Sequence, residues 1–206
     1  DPMRVSTSTI YSQALSIVGD LTGAQAVIHE ARARLPLLPD FMLQEGSVFF
    51  LAGKFEKMES IGRELIAAEP DNSAGHWLVG VALEQRGEVR RAVEEFQRGL
   101  KGTPKDDVRV LCALSHAYGL AGDRQRALAT MRSFLPKDGQ PMTRFTLCYC
   151  AALTYASLNE KDEAIQWLER AREIKDSSFP FMPYDIRFRA LRGDERFTRL
   201  AAVMKQ

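Results

Sequence analysis

A turn-forming residue returns along this chain at a nearly constant interval. Gly19-Asp20, Gly53-Lys54, Gly87-Glu88 and Gly122-Asp123 are 34, 34 and 35 residues apart, and Asn159-Glu160 follows after 37. Gly, or Asn in its place, tolerates the positive φ that a tight reversal between two helices demands. Other positions keep the same phase. Ala24, Met58, Ala92, Ala127 and Ala164 follow their markers by five residues, and Ile28, Gly62, Phe96, Met131 and Leu168 come four later. Pro36, Pro70 and Pro104 close the first three units, because Pro cannot continue a helix. A helical pair of this length cannot bury its apolar stripe alone, so it has to stack on its neighbours. The Ala column is expected to face the first helix of its own hairpin, and the larger column to fill the space between hairpins. Gly46 and Gly80 are expected to let the two helices of a hairpin approach closely.

This pattern places five helical hairpins at roughly 5–38, 39–72, 73–107, 108–142 and 145–177. The unit Ser73–Asp106 is the clearest, with Gly80, Leu83, Gly87, Ala92, Phe96, Gly99 and Pro104 in phase. The units resemble the tetratricopeptide repeat, a helix–turn–helix motif. Departures are Met58 and Gly62, where Ala and an aromatic are usual, and the polar opening helix "VSTSTIYSQAL". The fold implied is an all-α, right-handed α–α superhelix. It has a repeat array over 1–178 and a connector with a C-terminal capping helix over 179–206. "PKDGQPM", Pro136–Met142, reads as a loop before the last hairpin. The tail "DSSFPFMPYDIRFRALRGDERFTRLAAVMKQ" reads as a Pro-rich aromatic loop followed by a helix from about Glu195, with Asp194 as N-cap. Phe197, Leu200, Ala201 and Met204 would then share the face that covers the last hairpin. "LRGDERFTRL", after "DEAIQWLERAREIKDSS", also resembles the end of tetratricopeptide regions in bacterial winged-helix regulators, adenylate cyclases and serine/threonine kinases.

Composition excludes several function classes. A formal net charge of +1 offers no global attraction to nucleic acid or anionic membrane. No apolar run is long enough to span a bilayer, and the hydrophobic fraction of 45% is that of a soluble folded chain. The N-terminus lacks both a signal-peptide pattern and an initiator Met, so a piece of something longer is expected. The three cysteines, an odd count, argue against a disulfide framework and for a reducing, cytoplasmic setting.

Catalytic signatures are missing. There is no phosphate-binding Gly loop, His-Glu-x-x-His, Gly-x-Ser-x-Gly or Cys-x-x-Cys. Cys148 and Cys150 point about 200° apart on a helix, so they are read as buried thiols. Cys112 and His116 share a helix face, but a zinc site needs about four ligands and no others are evident. No metal, cofactor or enzymatic activity is expected. His29 and His76 are read as hydrogen-bonded histidines among apolar neighbours.

In the architecture that the resemblance implies, the first helix of each hairpin lines a concave groove. The groove positions expected to bind a protein or peptide segment are Leu43, Ser47, Phe50, Trp77, Val81, Glu84, Cys112, His116, Tyr149 and Leu153. The Lys and Asn clamp that tetratricopeptide co-chaperones use for acidic C-terminal peptides is replaced here by Thr9, Gln13, Ser47 and Ala74, so a chaperone tail is not the expected ligand. Arg187, Arg189, Arg192, Arg196 and Arg199 form a second, basic patch. The expected function is a non-catalytic interaction module, scaffold or regulatory. The alternative is the ligand- or peptide-sensing domain of a bacterial transcription regulator or signalling kinase.

Overall fold

The computed structural model describes residues 2–101, 107–136 and 147–202, with side chains from residue 7. Every regular element among them is helical. The helices are α1 (Pro2–Ile17), α2 (Leu21–Arg34), α3 (Pro39–Leu51), α4 (Phe55–Ala68), α5 (Ser73–Gln85), α6 (Val89–Gly99), α7 (Val108–Leu120), α8 (Arg124–Phe134), α9 (Cys148–Ser157), α10 (Lys161–Glu173) and α11 (Glu195–Ala202). Consecutive pairs from α1 to α10 form five antiparallel hairpins. The chain divides into two compact units, Asp1–Lys105 and Asp106–Gln206. The first holds α1–α6; the second holds α7–α10 and the tail. Pro104, the connector after Pro136, and Met204 lie outside the described residues.

The turns behave as their chemistry requires. Gly19, Gly53, Gly87 and Gly122 take φ of 85°, 68°, 80° and 77°, and Asn159 adopts 60° in the Gly role. Two of the helices that follow these turns, α2 and α8, are capped by a short polar side chain, and so is α5, which opens a hairpin. Asp20 accepts from the Gly23 N–H at 2.8 Å, Asn72 from Gly75 at 2.9 Å and Asp123 from Arg126 at 3.0 Å, which satisfies donors the helix leaves open. Pro36 and Pro70 follow the ends of α2 and α4, as expected.

Both repeat columns are buried. Ala24, Met58, Ala92, Ala127 and Ala164 are all 0% exposed, and Ile28, Phe96 and Leu168 likewise. The small residues divide their work differently from the expectation. A Cβ at Gly80 would strike Phe96 of its own hairpin, but one at Gly46 would strike Leu78 of the next hairpin. Gly62, an apparent departure from the repeat pattern, has a reason. A Cβ there would lie 2.8 Å from the Gly75 carbonyl oxygen, and one at Gly75 would lie 2.9 Å from the Gly62 oxygen. The α4 and α5 backbones meet at this pair, and an aromatic residue would separate them.

The tail is more ordered than a loop. Two 3-10 turns, Phe179–Phe181 and Ile186–Leu191, precede α11. Phe179, Met182, Phe188, Leu191, Phe197 and Leu200 are buried with Tyr149, Leu153, Ile165 and Leu168 in one core. Phe188 links the two sides, edge-on to Tyr149 at 5.3 Å and tilted against Phe197 at 5.8 Å. Asp194 accepts from the Arg196 N–H at 2.9 Å at the start of α11, as expected of its cap.

Candidate functional site

Of the groove candidates in the first unit, Leu43, Ser47 and Trp77 are partly open, while Phe50, Val81 and Glu84 are buried. The Ser47 hydroxyl donates to the Leu43 carbonyl at 2.8 Å, one turn back on α3. Next to this column runs a polar rung joining α1 to α3. Gln13 donates to Gln44 at 3.3 Å, Gln44 to the Ser12 hydroxyl at 3.3 Å, and Ser12 to the Ala24 carbonyl at 3.0 Å. Leu43 and Trp77 are the partly open apolar groups of the column.

Charged side chains bridge hairpins away from that column. Arg32 of α2 pairs with Glu45 of α3 at 2.6 Å and with Glu64 of α4. Burial opposes its charge, but the two carboxylates outweigh that and hold the guanidinium pKa above its ordinary value. Glu59 accepts from Arg86 and Arg63; these bonds, against a smaller desolvation cost, hold its carboxyl below the ordinary range. His76 places Nδ1 2.7 Å from Glu95 and Nε2 2.9 Å from the Pro70 carbonyl. Both of its ring nitrogens are occupied by structural contacts, as expected of a histidine packed among helices.

The second unit treats its expected groove residues differently. Cys112, His116, Tyr149 and Leu153 are all buried, at 5%, 2%, 4% and 0% exposure. Tyr149 is covered by the tail. Its hydroxyl donates to Asp185 Oδ2 at 2.7 Å, and its backbone N–H donates to Asp176 Oδ2 at 3.0 Å. Arg187, expected in the basic patch, instead closes on Asp185 with Nη2–Oδ2 2.6 Å and Nε–Oδ1 3.0 Å. A groove candidate and a patch candidate thus meet in one buried triad. Arg196 is also committed, to Asp194 at 2.7 Å and Asp162 at 2.8 Å. Arg189, Arg192 and Arg199 remain exposed.

The electrostatics of the triad are those of a lock. Burial pushes the Asp185 carboxyl up, but the Arg187 charge and the bonds from Arg187 and Tyr149 together hold it below its ordinary value. Burial, with the Asp185 charge, pushes the Tyr149 phenol well above its ordinary range. A phenol held protonated and shielded from solvent is not a nucleophile. Burial also raises the Asp176 carboxyl, against the backbone N–H groups of Tyr149, Ser178 and Cys148.

The expectation of three thiols does not hold. Cys112 and Cys150 are joined by a disulfide with Cα–Cα 5.3 Å; Cys148 stays a thiol. Two residues apart on α9, Cys150 faces α7 and Cys148 does not, an adjacency that spacing along one helix could not reveal. Cys112 is therefore no thiolate ligand beside His116, and no group of three metal-ligating side chains occurs among the described residues. No described helix is long and apolar enough to cross a membrane.

The Asp residues of the tail were not singled out from sequence, though a signal was present. Asp176-x-Ser178, Asp185-x-Arg187 and Asp194-x-Arg196 repeat one spacing, and in each the Asp Oδ1 accepts the N–H two residues on at 2.9 Å. This is the Asx turn. In the last two, the Arg also folds back on its own Asp.

Comparisons with known proteins agree with the geometry. Family models described as tetratricopeptide repeat match residues 60–107 and 145–177. A thermophilic tetratricopeptide protein of Thermus thermophilus superposes with a TM-score of 0.67 at 18% identity, covering 96% of this chain and 99% of that one. Part of a mutant O-GlcNAc transferase from Thermobaculum terrenum gives a TM-score of 0.55 at 17% identity, over 70% of this chain but 29% of that one. No curated protein matches the sequence. The fold is that of tetratricopeptide-repeat proteins, and the chain carries tetratricopeptide repeats at the matched residues.

Proposed function

We propose that this protein is a non-catalytic interaction module, and that it binds a protein or peptide segment over the Leu43–Ser47–Trp77 column of the first unit. The observation that carries this reading is the contrast along the first helices. In α3 and α5 most apolar side chains are buried, while Leu43 and Trp77 stay partly open. Partly exposed aromatics that can become fully covered tend to dominate interface energy. Cys112, His116, Tyr149 and Leu153 are already covered by the chain itself, which concentrates the proposed site in the first unit. The exposed arginines Arg189, Arg192 and Arg199 form a smaller second surface suited to acidic groups.

The alternative is a ligand- or peptide-sensing module of a bacterial regulator or kinase. It rests on the "LRGDERFTRL" ending, which folds as a cap on the last hairpin. The two readings differ in what lies beyond the repeats, and both use the same column.

The test is affinity capture of a partner with the full chain, followed by calorimetric titration. Trp77→Ala should weaken binding by about 2 kcal/mol or more, the hot-spot scale. Arg90→Ala, an exposed position on α6, should change it by less than about 0.5 kcal/mol. Wild-type affinity in a folded Trp77→Ala protein would place the contact elsewhere.

A further inference from the structure

The second unit carries a covalent element that the interaction reading does not use. α7 and α9 are the first helices of consecutive hairpins, and they meet at two successive points. Cys112 and Cys150 are bonded with Cα–Cα 5.3 Å, inside the range a disulfide needs. One turn further on, the Ser115 hydroxyl meets the Thr154 hydroxyl at 2.9 Å, and both residues are 0% exposed. One hydroxyl donates to the other, which in turn donates to a carbonyl of the preceding turn on its own helix: the Cys112 oxygen lies 2.8 Å from Ser115 and the Cys150 oxygen 3.0 Å from Thr154. Repeat packing and this hydroxyl pair therefore fix the spacing of α7 and α9 at the cysteines. The bond then joins residues that folding has already brought together.

We infer that the Cys112–Cys150 disulfide is a folding-formed staple between the last two repeats, and that the chain matures where a disulfide-class oxidant is present. The chemistry balances in two exchange steps. One cysteine thiolate attacks the oxidant's disulfide and releases a thiol. The second cysteine then attacks the mixed disulfide and releases the other. The protein gives up two electrons and two protons, and the oxidant leaves as two thiols.

Two observations separate a staple from a rapid exchange centre. First, both bonded cysteines are shielded, at 5% and 6% exposure, so a reductant reaches the bond only after local opening. Second, the remaining thiol is unsuited to attack it. Cys148 is 0% exposed, and burial, with the nearby Asp176 charge, pushes its pKa up to about 11. A protonated, enclosed thiol does not shuffle. The odd count of cysteines is one pair plus one inert thiol. The expectation of a reducing compartment rested on three thiols and loses that support.

The experiment uses the full chain, refolded with oxidised and reduced glutathione, then denatured without reductant and alkylated with iodoacetamide. Intact mass should show one modified cysteine, rising to three after reduction, and a proteolytic digest should contain the peptide linking Cys112 to Cys150. The fully reduced protein should melt lower than the oxidised one by about 10 °C or more, the scale for closing a loop of this length. The Cys112→Ser/Cys150→Ser double variant should show no reductant dependence, while Cys148→Ala should keep it. Three alkylated cysteines in the refolded wild-type chain, a linkage through Cys148, or equal melting of oxidised and reduced protein would overturn the proposal. The mass measurement decides even if the double variant does not fold.

Discussion

The Tyr149 hydroxyl donates to Asp185 Oδ2 at 2.7 Å, and this bond ties the last repeat to the tail that covers it. Asp185 also holds Arg187, so removing its carboxylate takes this acceptor from the buried Tyr149 hydroxyl and the half-buried Arg187 guanidinium. Asp185→Ala should cost about 3–5 kcal/mol, the scale for breaking a buried ion pair. Tyr149→Phe should cost about 1–3 kcal/mol, because it leaves the ion pair in place. Urea unfolding of both variants checks the order; equal costs would show that the phenol, not the ion pair, holds the tail.

The same carboxylate sets an acid limit. Its folded pKa lies below the ordinary 3.8, so the stability it contributes is fully present above that value and is lost as pH falls through the folded pKa. Asp176 has the opposite sign. Its pKa is raised, so its contribution is present below 3.8 and is lost as pH rises through its folded value. Thermal melts between about pH 2 and pH 6 should show wild-type stability falling at the acid end. The fall should be shallower in Asp185→Asn, which has no charge to lose there. Parallel curves would assign the acid sensitivity to other groups.

Gly62 and Gly75 give a packing prediction. A methyl group at Gly62 meets the Gly75 carbonyl oxygen and the Leu78 and Val79 side chains, all within 2.9 Å. Gly62→Ala should therefore destabilise by about 1–3 kcal/mol as α4 and α5 are forced apart. Gly87→Ala meets no atom within 4 Å, but its φ is +80°. It should cost about 1–2 kcal/mol through backbone strain alone. Because a stretched helix contact disturbs its neighbours, Gly62→Ala should also lower hydrogen-exchange protection at the start of α5, whereas Gly87→Ala should lower it most in the last turn, which the Gly87 and Glu88 N–H groups close.

The cap makes a fourth prediction. Phe197 and Leu200 are each 4% exposed, and Phe197 rests on Phe188. Phe197→Ala should cost about 3–5 kcal/mol. Removing residues 194–206 should cost more, exposing the core of the last repeat and promoting aggregation. Light scattering during a thermal ramp measures both; an unchanged ramp for the truncated chain would make the tail an appendage.

The hairpins, their turns and the buried columns were legible because each rests on a short-range rule repeated in phase. Asn159 could be read as a Gly substitute before its φ was known, since the interval demanded a left-handed residue there. The site was less legible, for a physical reason. Position in the repeat predicts which way Tyr149 points, but not that Asp176, Asp185 and Phe188 arrive from the tail to enclose it. Trp77 and Leu43 lie in the first unit, where they stay partly open. Cys112 and Cys150 lie 38 residues apart, and nothing local to either signals the other. Gly62 looked like a defect in the pattern because its partner, Gly75, sits on the next hairpin.

The Cys112–Cys150 link also has a mechanical meaning. A chain drawn out by its two ends would lengthen only through residues outside the closed loop. With the bonded positions 38 residues apart, roughly 130 Å of extended length would stay hidden. Reduction would release it, so the α8 hairpin helix and the start of α9 would bear tension only once the bond had been cut.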